Sequence, residues 1–181
     1  MIRFLTCPFL RVVEHVPQRA KALDIGAGHG VFSVLAKDRG AHPTAVDPDA
    51  RKTRRLDGVN VVAGYDDCIR GTFDAVSVID VLYKVPIGEW DAFLDRIKQR
   101  LKPGGILLIK EHDPTARFKH FWNRIQERFA TAIHLTLGES FSYETPQELT
   151  GRLQRLGFSA VDAVRIDRFY PHPHILYVIR K

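Results

Sequence analysis

The chain has 181 residues, 45% hydrophobic and 27% charged, with a net charge of +6. These are ordinary globular values for a chain long enough to build one core. No apolar run reaches the roughly 18 residues of a membrane span. Arg3 and Arg11 bracket a brief apolar patch with no small-residue cleavage site, which reads against a signal peptide. Cys7 and Cys68 lack metal-type spacing, so a reducing, cytoplasmic setting is expected. The basic surplus alone selects no partner.

In chain order, "KALDIG" (21–26) predicts a first strand and "GVFSVLAKDRG" (30–40) a helix closed by Gly40. "HPTAVD" (42–47) predicts a second strand, "PDARKTRRL" (48–56) a helix, and "VNVVAG" (59–64) a third strand. "FDAVSVID" (73–80) is rich in Val and Ile, the profile of a strand buried on both faces of a parallel sheet. "GEWDAFLDRIKQRL" (88–101) sets Trp90, Phe93, Leu94, Ile97 and Leu101 at helical spacing, "KPGG" ends it, and "ILLIKEH" (106–112) is a fifth strand. This alternation predicts an α/β, doubly wound, mostly parallel sheet with right-handed crossovers.

The end of the chain departs from the alternation. "TPQELTGRLQRLG" (145–157) predicts a helix with Thr145 as N-cap, Pro146 in the first turn and Glu148 completing a capping box. "FSAVDAVRID" and "HILYVIRK" follow, joined only by "RFYPHP". A link that short favours an antiparallel hairpin, so the last strand runs against the rest.

Between the fifth strand and that helix, residues 114–143 read as a helical lid inserted in a single 1–181 domain. Phe118, Phe121, Trp122, Ile125, Phe129 and Ile133 share one helical arc, with Arg117, Arg124 and Arg128 along its edge. One reading is an amphipathic helix packed on the core with a solvated basic edge. The other is a lid presenting Phe118 and Trp122 to a hydrophobic acceptor, with 114–135 also suited to peripheral contact with an anionic membrane.

Ligands of open α/β sheets sit at the carboxyl ends of strands where the strand order reverses. "DIGAGHG" leaves the first strand there. Gly26 permits a tight turn, Gly28 lets a ligand approach the backbone and Gly30 opens the helix. Asp47, twenty-one residues beyond Gly26, is placed to accept from two ribose hydroxyls. The spacing is G-x-G-x-G, with Val31 where a dinucleotide fingerprint wants its last glycine, so a pyrophosphate clamp and a nicotinamide-dependent reductase are disfavoured.

"LDIGAGHG", "AVDPD", "FDAVSVIDVLYKVP", "LKPGG" and a terminal antiparallel strand, in that order, resemble the class I S-adenosylmethionine-dependent methyltransferases. The resemblance covers residues 20–112 best. It implies a seven-stranded Rossmann-like sheet with a reversed last strand and S-adenosylmethionine as methyl donor. Carried over, Asp24, Gly26, Gly28 and Gly30 line the methionine part of the cofactor, Asp47 binds the ribose and Pro48 lies beside the adenine. Asp66, with Asp67 and Tyr65 as rivals, takes the acidic position near the adenine amino group, and Asp80 passes near the sulfonium. Lys84 stands where relatives often carry histidine.

Methyl transfer from a sulfonium is an in-line displacement in which alignment contributes on the order of 7–11 kcal/mol. A base matters only if the acceptor loses a proton. His112 and Glu111, on opposite faces of the fifth strand's end, are the catalytic candidates. Tyr83, Lys84, Phe118, Trp122, Tyr143 and Tyr170 are the acceptor-site candidates. Asp113 before Pro114 reads as a helix N-cap. His172 and His174 suggest metal, but the sequence shows no third ligand and no metal site is assigned.

The expected activity is methyl transfer to a small-molecule acceptor, hydrophobic or lipid-like. A nucleic-acid methyltransferase is the alternative, disfavoured because the run after the fourth strand reads "IDVLYKVP" rather than an N/D-P-P-aromatic motif. A non-catalytic sensor or scaffold holding the same nucleoside is the third reading.

Overall fold

The computed structural model describes residues 7–49, 51–52, 56–113, 143–168, 170 and 172–181. Seven strands form one sheet: β1 (Lys21–Ile25), β2 (His42–Asp47), β3 (Asn60–Ala63), β4 (Phe73–Ile79), β5 (Leu101–His112), β6 (Ala160–Arg165) and β7 (His174–Arg180). Their order is β3-β2-β1-β4-β5-β7-β6. β7 is antiparallel to both neighbours, while β1 to β5 pair in parallel. The reversed last strand and doubly wound order are those expected from the sequence. Strand order reverses between β1 and β4, so the glycine turn leaving β1 opens onto the crevice there.

Alternation along each strand splits the core in two. Leu23, Ile25, Val76, Val78, Leu107, Ile109 and Tyr177 face one layer, packed against Trp90, Phe93, Leu94 and Ile97 of α3 (Trp90–Arg100) and Leu149 and Leu153 of α4 (Pro146–Arg155). Ala22, Ala75, Leu108 and Leu176 face the other, with α1 (Phe9–Val13) and α2 (Val31–Asp38) on it. At α4, the Thr145 hydroxyl accepts from the Glu148 amide while the Glu148 carboxylate accepts from the Thr145 amide. That is the capping box the spacing predicted.

Two local expectations fail. Pro48, Asp49, Arg51 and Lys52 form no helix; residues 51–52 are a turn. The Asp49 carboxylate accepts from the Arg51 amide at 3.1 Å, a local bond that competes with helical pairing. "KPGG" is not a plain stop either, because β5 begins at Leu101 and runs through it. The extra residues bulge out between the Phe73–Leu101 and Ala75–Ile106 pairings, with Gly104 at a φ of +71°. The lid positions Phe118 and Trp122 lie outside the described residues. No described helix is long and apolar enough to cross a membrane.

Candidate functional site

The turn after β1 is fixed from beneath. Asp24 is buried, and its carboxylate accepts from the Ser33 hydroxyl of α2 at 2.7 Å and the Ser77 hydroxyl of β4 at 2.9 Å. It therefore ties strand, helix and neighbouring strand together under the glycines. Gly26, Gly28 and Gly30 all have φ between +57° and +72°. A Cβ at Gly26 would stand 2.3 Å from a Val81 methyl, so the β1 turn and the loop after β4 touch there. The amides of Gly26 and Ala27 donate to the Val46 carbonyl, and the Gly30 amide to the Ala27 carbonyl. These amides are spent inside the turn, which agrees with the absence of a phosphate clamp.

The Gly28 amide donates to Asp47 Oδ2 at 2.9 Å, and the Asp49 amide to Asp47 Oδ1 at 2.9 Å. A carboxylate offers about four acceptor positions. Two are used, and Asp47 retains 8% exposure, so it keeps the capacity that two ribose hydroxyls require. The donor set thus fits a nucleoside. Pro48 is exposed beside it. Asp66 opens a 3-10 turn after β3 (Asp66–Cys68), where its Oδ2 accepts from Arg96 Nε of α3 at 2.9 Å. Its rivals Tyr65 and Asp67 are exposed.

Asp80 sits at the end of β4 with a φ of +55°, sparsely populated for a residue with a side chain. Lys110, fully buried, donates from Nζ to Asp80 Oδ1 at 2.5 Å. The Asp80 amide donates to the Lys110 carbonyl. Lys110 opens the "KEHDP" run at the end of the fifth strand, but its pairing with Asp80 is revealed only by its place beside β4 in the parallel ladder.

Glu111 and His112 do leave β5 on opposite faces. His112 Nε2 lies 3.9 Å from Asp80 Oδ1, on the Lys110 side. Glu111 Oε1 instead accepts from the amides of Val81 at 3.2 Å and Leu82 at 2.8 Å. Both nevertheless border one gap of about 10 Å³ at the strand end, together with Tyr83, Trp90, Tyr143, Glu144, Leu149 and Tyr177. Burial, and then the Asp80 charge, push the Glu111 carboxyl up to about 8; Lys110 and the two amides pull the other way without offsetting them.

The acceptor candidates divide. Tyr83 and Tyr143 lie parallel, 6.0 Å between centroids and 2° between planes. Lys84 is exposed, with Nζ 5.2 Å from the Tyr83 ring. Tyr170 stands farther along, edge-on to His174 at 5.9 Å. The ladder pairs His112 with His174, and the rings of His112, His172 and His174 come within 5.1–6.1 Å of one another. The third histidine missing from "HPH" is therefore His112. Among the described residues, however, no group of three or more His, Cys, Asp or Glu is arranged to hold a metal ion. Asp113 is bonded to Arg165 across the hairpin at 2.5 Å; the helix it was expected to cap lies outside the described residues.

Arg152 of α4 braces the outer wall. It donates to Glu144 through Nε and Nη2, bonds Asp91 of α3, and stacks its guanidinium over Trp90 at 5.6 Å. Glu144 follows Tyr143 directly, so this clamp sets where Tyr143 leaves the helix bundle.

A domain model described as "methyltransferase domain" matches residues 1–163. Ubiquinone biosynthesis O-methyltransferase of Xylella fastidiosa is 33% identical over 102 residues, covering 50% of this chain and 41% of that protein. The Xanthomonas axonopodis pv. citri protein of the same name is 35% identical over 105 residues, covering 51% and 43%. The chain thus spans about two fifths of the length of these curated relatives. Among solved structures, a SAM-dependent methyltransferase from Archaeoglobus fulgidus superposes with a TM-score of 0.79 at 16% identity, over 100% of this chain and 95% of that one. Burkholderia thailandensis 1,6-didemethyltoxoflavin-N1-methyltransferase gives 0.69 at 21%, over 96% and 76%. At such identities these two speak for the fold. With residues 1–163 matched by the domain model, the chain belongs to the methyltransferase domain family, the class I enzymes that use S-adenosylmethionine as methyl donor.

Proposed function

We propose that this protein transfers the methyl group of S-adenosylmethionine to a hydrophobic small-molecule acceptor at the carboxyl ends of β1, β4 and β5. The observation that carries the proposal is the meeting of two walls. The glycine turn with Asp47 forms one, the loop after β4 with Tyr83 forms the other, and Val81 touches Gly26 between them. Asp47 holds the ribose through its remaining acceptor positions, Asp66 and Pro48 border the adenine, and Gly26 to Gly30 border the methionine portion. Asp80, fixed by Lys110, edges the reacting centre.

S-adenosylmethionine supplies a carbon already activated by the sulfonium. This chain's contribution is placement and the exclusion of water. The acceptor's lone pair forms the new bond to carbon while the carbon–sulfur electron pair returns to sulfur. A proton carried by the acceptor leaves to His112, which is partly exposed and borders the gap. Tyr83 and Tyr143 suit an apolar acceptor. The relatives named O-methyltransferases favour a hydroxyl as the nucleophile.

The test is transfer of labelled methyl from S-adenosylmethionine into cell extract, partitioned between organic and aqueous phases, with Asp47→Ala as control. The expected result is label in the organic phase that is lost in the control. Label only in the aqueous phase would refute the hydrophobic acceptor. Tight cofactor binding with no transfer anywhere would refute catalysis and leave a nucleoside sensor.

A further inference from the structure

Glu111 has an asymmetry that its role as a loop anchor leaves unused. It is 5% exposed, and Oε1 takes two backbone amides from the loop after β4. Oε2 is fully buried with no hydrogen-bond partner among the described residues. A buried polar atom left in that condition is uncommon and costly unless something fills its place. The gap that Glu111 lines is aromatic: Tyr83, Trp90, Tyr143 and Tyr177 line it too, and its 10 Å³ is about the space of one oxygen-sized group.

The arrangement also decides which oxygen carries a proton. Oε1 accepts from two amides and serves as the carbonyl-like oxygen, so the proton of a neutral carboxyl resides on Oε2. Neutrality is favoured because Asp80 is already paired with Lys110 and Glu144 with Arg152, leaving no cation bonded to Glu111 among the described residues. The raised proton affinity described above agrees. Oε2 is then a hydrogen-bond donor awaiting an acceptor atom.

Tyr83 and Tyr143 supply the shape. Their planes are parallel and their centroids 6.0 Å apart. A planar ring slipped between them would stack on both faces, with contacts of about 3.5 Å each. We infer that Glu111 is a specificity-determining residue of the acceptor site: its Oε2 hydroxyl donates to an uncharged oxygen on a planar conjugated acceptor held between Tyr83 and Tyr143. This rests on the methyltransferase reading above and names the acceptor class within it. The oxygen is a carbonyl or hydroxyl rather than a carboxylate, because an anion buried there would lose its hydration without a cation of its own.

The titratable groups around Glu111 are its β5 neighbours Lys110 and His112, Asp80 at the end of β4, Tyr83 on the following loop, Tyr177 on β7, and Tyr143 and Glu144 before α4. Above about pH 8 the carboxyl ionises, the donor vanishes and the acceptor's oxygen is repelled.

The experiment uses the full chain saturated with S-adenosylhomocysteine, so that affinity is read without turnover. The probes are 2-hydroxyacetophenone, a planar ring with a carbonyl, and toluene, which lacks any oxygen. Binding is measured by calorimetry from pH 6 to pH 9. The expected result is a preference for the ketone of at least tenfold at pH 7, falling as pH passes 8. Glu111→Leu should abolish the preference. Glu111→Gln, which keeps a donor at that position, should retain more of it and lose the pH dependence. Equal affinity for both probes, or a preference unchanged in Glu111→Leu, overturns the inference. Cofactor affinity measured in the same titrations separates the two failures. Loss of S-adenosylhomocysteine binding in the unaltered protein would strike the methyltransferase reading, whereas intact binding without ketone preference strikes Glu111 alone.

Discussion

Lys110→Met isolates the strongest electrostatic contact of the site. The Lys110 side chain has no exposed surface, and its ammonium lies 2.5 Å from Asp80 Oδ1, on a side chain only 10% exposed. Methionine fills nearly the same volume but removes the buried ammonium that pairs with the Asp80 carboxylate. Breaking a buried pair in this way costs about 3–5 kcal/mol. For a chain of this size each kcal/mol is worth roughly 2–4 °C, so the melting temperature should fall by roughly 6–20 °C. Adding Asp80→Asn should restore most of the loss, since a neutral pair often replaces a buried ionic one at little cost. Asparagine also tolerates the left-handed backbone that Asp80 adopts. Urea unfolding followed by tryptophan fluorescence, with the two single variants and the double, measures the cycle. A Lys110→Met variant within 1 kcal/mol of the parent, or a double variant as unstable as the sum of the singles, would refute the reasoning.

Further outcomes follow from the same contacts. Gly26→Ala should cost about 2–4 kcal/mol, combining left-handed strain of roughly 1–2 kcal/mol with a clash on the stiff, β-branched Val81. Gly40→Ala, with φ +88° and nothing within 4 Å, should cost the strain alone. Equal losses in urea unfolding would contradict this. Stability should decline as pH rises from about 4.5 to about 8. Folded Glu111 holds its proton through that window while the unfolded carboxyl has released it, and above 8 the loss is complete. Glu111→Gln should flatten that slope in thermal melts from pH 4 to 9, and an unchanged slope would sink the assignment. Arg152→Gln should raise acceptor KM several-fold with cofactor affinity unchanged, because Arg152 acts on Tyr143 through Glu144; a weakened cofactor would place its effect elsewhere.

Local grammar carried most of the fold. Period-two and helical spacing found all seven strands and the three helices of the sequence reading that the structure describes in full, since each apolar stripe had one core to face. The failures came where side chains act on the backbone within a few residues, as at Asp49, or where a strand absorbs extra residues, as at "KPGG". The glycine turn and its bond to Asp47 were legible because glycine needs and a carboxylate at a set distance are written in sequence. The pairings that organise the acceptor side were not. Asp80 with Lys110 spans 30 positions, Glu111 with Val81 the same, and His112 meets His174 only through strand register. The bond of Asp66 to Arg96 likewise appears only once α3 is docked.

The two loops of the site behave as one mechanical unit. Asp47 binds the glycine turn to the end of β2, and Glu111 binds the loop after β4 to the end of β5. Between them a Cβ at Gly26 would stand 2.3 Å from Val81 and 3.5 Å from its nearest other atoms, so neither loop can shift toward the other. A displacement at Val81 therefore reaches both the Gly26 turn and the Glu111 carboxyl. This explains why a residue as small as Gly26 should affect the acceptor as well as the cofactor. It also explains why a carboxyl is kept buried at Glu111 despite its cost. An apolar residue there would bury more favourably, but it would leave the amides of Val81 and Leu82 without an acceptor in the loop that packs against Gly26.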